Sequence, residues 1–345
     1  MSSKDNKNLN ISCIRSISTI MIVILHLCQQ YEKNISNLRF LTDLMNLGLV
    51  MFFCISAYLY ANRDIKENKR KWLLKRYIEL IVPCFLSVIL GNLVFFCFKG
   101  YIPIETIKIS VLSGIGLEIF NESGWMFIQF WYLSYILLCY LTIPFIQKID
   151  VKKMKEKSFW LMMIVGCLSF QLLFMTLKKV LNLTNFYSFG VLARFYLPYF
   201  LIRRYDFNGF KLKKVMRIFL LISILGEIAI IFTRYNNIFN ISLLISEQIF
   251  IYTQTISGVT LFYYLYRFLE KNKINKKLMK ISDEYSYYIY LTHCYFIGYS
   301  TSLLFRWDNL LYGAFFALLL TLVSSIILKI ISKNILSSVK KSFKL

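Results

Sequence analysis

The chain has 345 residues, 57% of them apolar and only 17% charged, which excludes an ordinary water-soluble enzyme because too little polar surface remains to cover a globule. Its charge is lopsided, 41 Lys and Arg against 18 Asp and Glu for a net +23, a surplus that on a polar chain would suggest nucleic acid. With 31 Phe, 24 Tyr and long uncharged runs, the solvent is instead lipid, and no nucleic-acid partner is expected.

Taken in chain order, apolar runs of about 20 residues predict ten membrane-spanning helices over 11–30, 39–61, 77–98, 126–146, 159–177, 187–202, 216–233, 245–266, 285–304 and 309–332. Only 4 Pro and 13 Gly suit so helical a chain. The first run follows a polar start and has no small-residue cleavage site, so it is expected to span and not to be a signal peptide. The expected fold is an all-α integral membrane protein in which 1–345 form a single membrane domain. No internal repeat, low-complexity linker or appended soluble domain is visible.

The connecting segments set the orientation. Segments 1–10, 63–76, 147–157, 203–217, 267–284 and 333–345 hold 30 of the 41 basic residues, while the alternate loops hold few. By the positive-inside rule both termini are predicted to face the cytoplasm. The basic loops also suit anionic lipid, and secondarily an anionic cofactor at that face. Segment 99–125, with Pro103, Gly114, Gly116, Glu118 and Glu122, is expected to be an amphipathic loop lying on the membrane, a re-entrant element being the alternative.

Eight cysteines lie almost all inside apolar runs, with no CxxC and no His-flanked spacing, and read as small hydrophobes. Two His and scattered carboxylates make no recognisable ligand set, so no metal is expected. No GxSxG, HExxH, Walker A or GxGxxG pattern after a strand is present, which removes soluble-type nucleotide binding.

Ionisable side chains inside a span are costly, so each is a functional candidate. In the first span, Arg15 and His26 are separated by eleven residues. At 100° per residue this is about 20° beyond three turns, and both project from one face, about 16 Å apart along the axis. A fixed cation beneath a titratable imidazole suits a site that takes an anionic carrier from one side and transfers protons deeper in. Equally, Arg15 snorkelling to the interface and His26 bonding a neighbouring helix would give the same spacing. Arg194 and Glu227 fall near the middle of their spans and would either pair with each other or line a substrate cavity. Glu79 and His293 lie nearer span ends, where a structural role is favoured. Asp43, Asn46, Asn92, Gln171, Glu247 and Gln254 complete the set.

The stretch from Arg15 to His26 resembles the R-x10-H signature on the first span of the acyltransferase-3 family of bacterial membrane acyltransferases. Further stretches agree in order: Gly48 to Ala57-Tyr58, similar to a motif usually ending Ser-Gly-Tyr; Lys75-Arg76 to Pro83, a basic start to the third span; Trp131-Tyr132-Leu133; Arg194 to Pro198-Tyr199-Phe200; and Ser286 to His293. The resemblance runs from residue 11 to about 300, and the family's ten-span topology matches. Three positions depart from the pattern. Ala57 replaces Gly, Glu79 stands where a second basic residue is usual, and Arg203 stands where Gly is common. Glu79 puts a two-arginine grip on a carrier phosphate in doubt.

This resemblance implies a multi-pass protein of the bacterial cytoplasmic membrane that moves an acyl group, most often acetyl, from cytoplasmic acyl-CoA to a hydroxyl of a cell-surface polysaccharide or lipid-linked sugar. Arg15, Lys75 and Arg76 would hold the polyanionic donor. His26 would serve as general base or carry the acyl group itself, with Arg15 in the same catalytic stripe, and Arg194 would bind substrate or stabilise the oxyanion. The rival reading, a transporter or flippase for a lipid-linked glycan, also needs many spans and buried polar groups, but predicts repeats that are not visible.

Overall fold

The computed structural model describes residues 8–31, 38–65, 68–102, 104–118, 127–180, 189–232, 243–272, 276–298, 302–304 and 310–343. Among these there is no strand, and the helices are α1 (Leu9–Tyr31), α2 (Leu38–Met45), α3 (Leu47–Ala61), α4 (Lys69–Lys99), α5 (Ile104–Gly114), α6 (Trp131–Ile146), α7 (Glu156–Val180), α8 (Ala193–Arg204), α9 (Phe210–Ile230), α10 (Leu243–Lys271), α11 (Lys276–Ile297) and α12 (Leu310–Ser342). The all-helical expectation is met. Among the described residues, five helical stretches are both long and apolar enough to cross a membrane: Leu9–Tyr31, Leu38–Ala61, Lys69–Lys99, Glu156–Leu177 and Leu311–Ser342. The shorter Trp131–Ile146 is apolar as well.

Two predicted elements differ in detail. The run over 39–61 is not one straight helix, because Asn46 occupies a turn between α2 and α3. The interruption is slight, because Asn46 keeps near-helical φ and ψ of −61° and −20° and its N–H still reaches the Thr42 carbonyl at 3.0 Å. Segment 99–125 is described up to Glu118 and does not lie flat as expected. α5 turns back along α4: the Asn92 side chain donates to Ser110 Oγ at 2.9 Å, Cys84 Sγ to the Ser113 carbonyl at 3.4 Å, and Tyr77 Oη to the Ile115 carbonyl at 3.2 Å. With about 1.5 Å of rise per residue, the 11 residues of α5 retrace about a third of the 31-residue α4, so the two helices form a hairpin. Its turn starts at Gly100, whose φ of 77° suits a residue without a Cβ.

Helices α1, α3, α8, α10 and α11 form the centre. Two-thirds (67%) of the apolar window of α2–α3 is buried, against 6% for α7, so α7 lies at the periphery with Leu161, Ile164, Leu168 and Leu172 turned outward. An exposed apolar face of that length is what lipid contact requires. Small residues set the central spacing. A Cβ on Gly48 would come within 2.7 Å of the Met21 Cβ and 2.8 Å of the Ser18 carbonyl, so α3 crosses α1 at backbone distance.

One end of the bundle gathers all six segments that carry the basic surplus. Asn8 donates to Tyr266 Oη, Arg203 pairs with Asp64, and the Ile65 N–H donates to Gln147 Oε1. Arg204 reaches the Val151 carbonyl and Glu156, Arg267 meets Asn208, and Lys340 pairs with Glu79. Segments far apart in sequence thus meet at one basic face.

Candidate functional site

The site is built on α1 and α11, which pack along most of their length. Ser12 Oγ donates to Asp283 at 2.8 Å, and Arg15 Nη1 pairs with the other Asp283 oxygen at 2.6 Å. Higher up, the His26 and His293 rings lie 5.0 Å apart. Eleven residues on α1 therefore match ten on α11, running the same way, so the two helices are parallel. The stripe expected from the Arg15 and His26 spacing is real, and each member meets a partner on α11.

Arg15 does not snorkel alone. The Asp283 side chain is fully buried and that of Arg15 is 26% exposed, so a buried carboxylate is neutralised by a cation that still reaches an open space. Guanidinium offers five donors, and Asp283 engages the Arg15 Nη1 nitrogen in an ion pair. Asp283 falls in a predicted connecting segment, 267–284; its signal, an acid ten residues before a histidine on one helix, is visible only once α11 is laid on α1.

His293, expected to be structural, is completely buried beside His26. Its Nδ1 lies 2.8 Å from the Tyr290 carbonyl and 3.1 Å from that of Ile289. Carbonyls only accept, so Nδ1 carries the proton and Nε2 presents a lone pair. Cys294 Sγ stands 3.3 Å from that Nε2. His26, His293 and Cys294 bring their ligand-type atoms within 4.8 Å of one another, a trio that sequence spacing did not reveal.

Below the histidines the seam is lined with rings. Tyr290 lies 6.0 Å from His293, Tyr132 5.7 Å from Tyr290, and Phe52 6.1 Å from Tyr132. Tyr290 Oη donates to the Gln129 carbonyl, which fixes its ring. Farther down, Ser56 and Tyr140 share a hydrogen bond at 3.3 Å, and Tyr140 packs 5.0 Å from Tyr60. Arg76 lies over the Tyr60 ring at 5.7 Å. A polar-aromatic row thus leads from the basic face to the histidines.

Of the basic pair at the start of α4, Lys75 is half-buried. Arg76 is tied to Glu79 at 2.8 Å, and Glu79 also takes Lys340 at 2.7 Å. The acid that replaces an expected cation is therefore answered by a cation from the last turns of α12. Arg203, the other departure, braces the basic face by donating to the Gln147 carbonyl at 3.0 Å and pairing with Asp64. Ala57 is fully buried in α3.

Arg194 and Glu227 do not pair. Glu227 accepts from Gln254 at 3.5 Å and Ser257 at 3.4 Å on α10. Arg194 is 3% exposed, stands near Cys54 and Tyr135, and its Nε has no hydrogen-bond partner among the described residues. Pro198, four residues on, has no N–H to donate to the Arg194 carbonyl, so that helical bond is not made. Cys54 and Phe52 differ by 200° around α3, which puts Arg194 on the face of α3 opposite the histidine seam.

At the basic face a notch of about 580 Å³ is lined by Asn8, Tyr58, Asn62, Arg63, Lys152 and Phe207, among others. It combines two cations, Arg63 and Lys152, with the Asp206 carboxylate and three rings, Tyr58, Tyr205 and Phe207.

A family model described as an acyltransferase domain matches residues 8–330. No curated protein and no solved structure matches the chain.

Proposed function

Because the chain belongs to the acyltransferase-3 family and has helices apolar enough to cross a membrane, we propose that it transfers an acyl group, most simply acetyl, from cytoplasmic acyl-CoA to a hydroxyl of a cell-surface polysaccharide or lipid-linked sugar. One observation carries this reading: a single polar seam holds an ion-paired arginine at one level and a histidine pair about 16 Å farther along. Polar groups in a membrane interior are expensive, and two levels of them on one pair of helices call for a function.

In this reading ten helices cross the bacterial cytoplasmic membrane with both termini inside. The parallel α1 and α11, the first and ninth crossings, have the parity this requires, and the six basic segments share one face. The donor binds at that face, its phosphates met by Lys75, Arg76 and the cations of the notch, Arg63 and Lys152. Its acyl arm follows the aromatic row past Arg15 toward His26. Coenzyme A is donor substrate here, and the chemistry needs no metal.

His26 removes the proton of the acceptor hydroxyl as the oxygen attacks the acyl carbonyl. A positioned base of this kind contributes about 10²–10⁴-fold. Arg194, on the other face of α3, is better placed to bind an anionic part of a substrate than to stabilise the oxyanion beside His26.

The test is His26→Ala in cells, with acetyl content of the surface glycan measured at matched protein level. Acetylation is expected to fall at least 100-fold with glycan export unchanged. Unchanged acetylation with export lost would replace this reading by the transporter.

A further inference from the structure

The deepest part of the seam holds more than a base. His293 has its Nδ1 proton committed to the backbone carbonyls of Tyr290 and Ile289, so its Nε2 can only accept. The donor nearest to that lone pair is the Cys294 thiol, at 3.3 Å. The arrangement is a thiol with its own oriented base, set beside a second imidazole. Cys84 makes the contrast. It is equally buried, but its thiol donates to the Ser113 carbonyl, which cannot take the proton away. A thiol in apolar surroundings stays protonated and inert unless a base or cation is on it.

We propose that Cys294 carries the acyl group covalently between donor and acceptor, with His293 as its base and His26 serving the acceptor hydroxyl. The inference rests on the acyltransferase reading and specifies its route. In the first half, the Cys294 proton passes to His293 Nε2 while the sulfur attacks the thioester carbonyl. The carbonyl carbon's bond to the carrier sulfur then breaks, and that sulfur leaves with the proton held by His293. One thioester replaces another, with no oxidant or reductant and no change in bond type. In the second half, His26 takes the proton of the acceptor hydroxyl, and its oxygen attacks the Cys294 thioester. The carbon–sulfur bond breaks, and the proton returns from His26 to the Cys294 sulfur; the titrating atoms of the trio lie within 4.8 Å.

Geometry gives this route a purpose. The donor is bulky and polyanionic and reaches the seam from the basic face, whereas the acceptor glycan would come from the other end. With a covalent stop at Cys294, the two large substrates never need to occupy the seam together. Two imidazoles are then both required, one for each half.

The test uses the full chain in detergent or lipid nanodiscs, with acetyl-CoA and radiolabelled free CoA and no acceptor. A covalent intermediate moves label from CoA into acetyl-CoA, whereas direct transfer cannot. Wild type is expected to exchange label, and Cys294→Ala and His293→Gln to lose the exchange by 100-fold or more. His26→Ala, which loses transfer to the glycan, should still exchange. Incubation of wild type with acetyl-CoA should also leave a hydroxylamine-labile acetyl group on the Cys294 peptide by mass spectrometry, a readout that does not depend on any variant folding. Exchange that persists in Cys294→Ala would overturn the proposal, as would acetylation of the glycan in cells by a wild type that shows no exchange and no acetyl-Cys294. So would one zinc per purified chain lost in Cys294→Ala, since two His and a Cys are also a zinc donor set. A wild type that neither exchanges in vitro nor acetylates in cells would bring down the acyltransferase reading itself.

Discussion

Two arginines lie inside the bundle, and they are solved in opposite ways. Arg15 on the α1–α11 seam is answered by a fully buried Asp283, which in turn takes a hydrogen bond from Ser12. Arg194 on the far face of α3 is more deeply buried, yet no carboxylate pairs with it among the described residues, and its Nε is unpartnered there. The first is an internally neutral element, in which removing either half strands the other. The second holds a charge that no carboxylate among the described residues cancels, which makes it the better candidate to meet an anionic group brought from outside.

The sharpest way to break this comparison is to remove each cation in turn. Arg15→Met leaves Asp283 buried without a counter-charge and is expected to cost about 3–5 kcal/mol of stability, read as a lowered Tm in detergent. Arg15→Met combined with Asp283→Leu should recover most of that loss, since an apolar pair of similar volume is often as stable as a buried ion pair. A double variant as unstable as the single one would show that the partnership is not what holds the seam.

Arg194→Met should behave in reverse. No carboxylate is stranded, so Tm is expected to stay level or rise, while acetylation of the surface glycan falls about 10–100-fold for the loss of charged hydrogen bonds worth about 1.5–3 kcal/mol. A Tm drop equal to that of Arg15→Met would make Arg194 structural and cancel the contrast.

The smallest effect is expected at the basic face. Glu79 bridges Arg76 and Lys340 where all three are partly exposed, and pairs of that kind are worth about 0–1 kcal/mol. Glu79→Gln should therefore leave Tm nearly unchanged. It also frees both cations, and is expected to tighten the donor rather than weaken it, seen as a lower KM for acetyl-CoA with kcat held. A raised KM would mean that Glu79 orients Arg76 for the donor.

Local pattern and long-range packing divide the molecule cleanly. Apolar runs, basic segments and the spacing of Arg15 and His26 are local properties, set by the thickness of lipid and by 100° per residue, and they were readable directly. So was the family, whose motifs run along the chain in order. The turn at Asn46 and the return of α5 along α4 were less so, because hydropathy does not distinguish a helix that crosses unbroken from one that is interrupted or folds back. What no local pattern contains is that α11 lies parallel against α1. Asp283 is 268 positions from Arg15, and His293 is 267 from His26. Seen alone, they are an acid in a loop, a histidine near a span end and a cysteine among apolar residues. Sequence decided which side chains the membrane would resent; only the packing of one helix on another decided which of them would neutralise each other and which would meet as a thiol and two imidazoles.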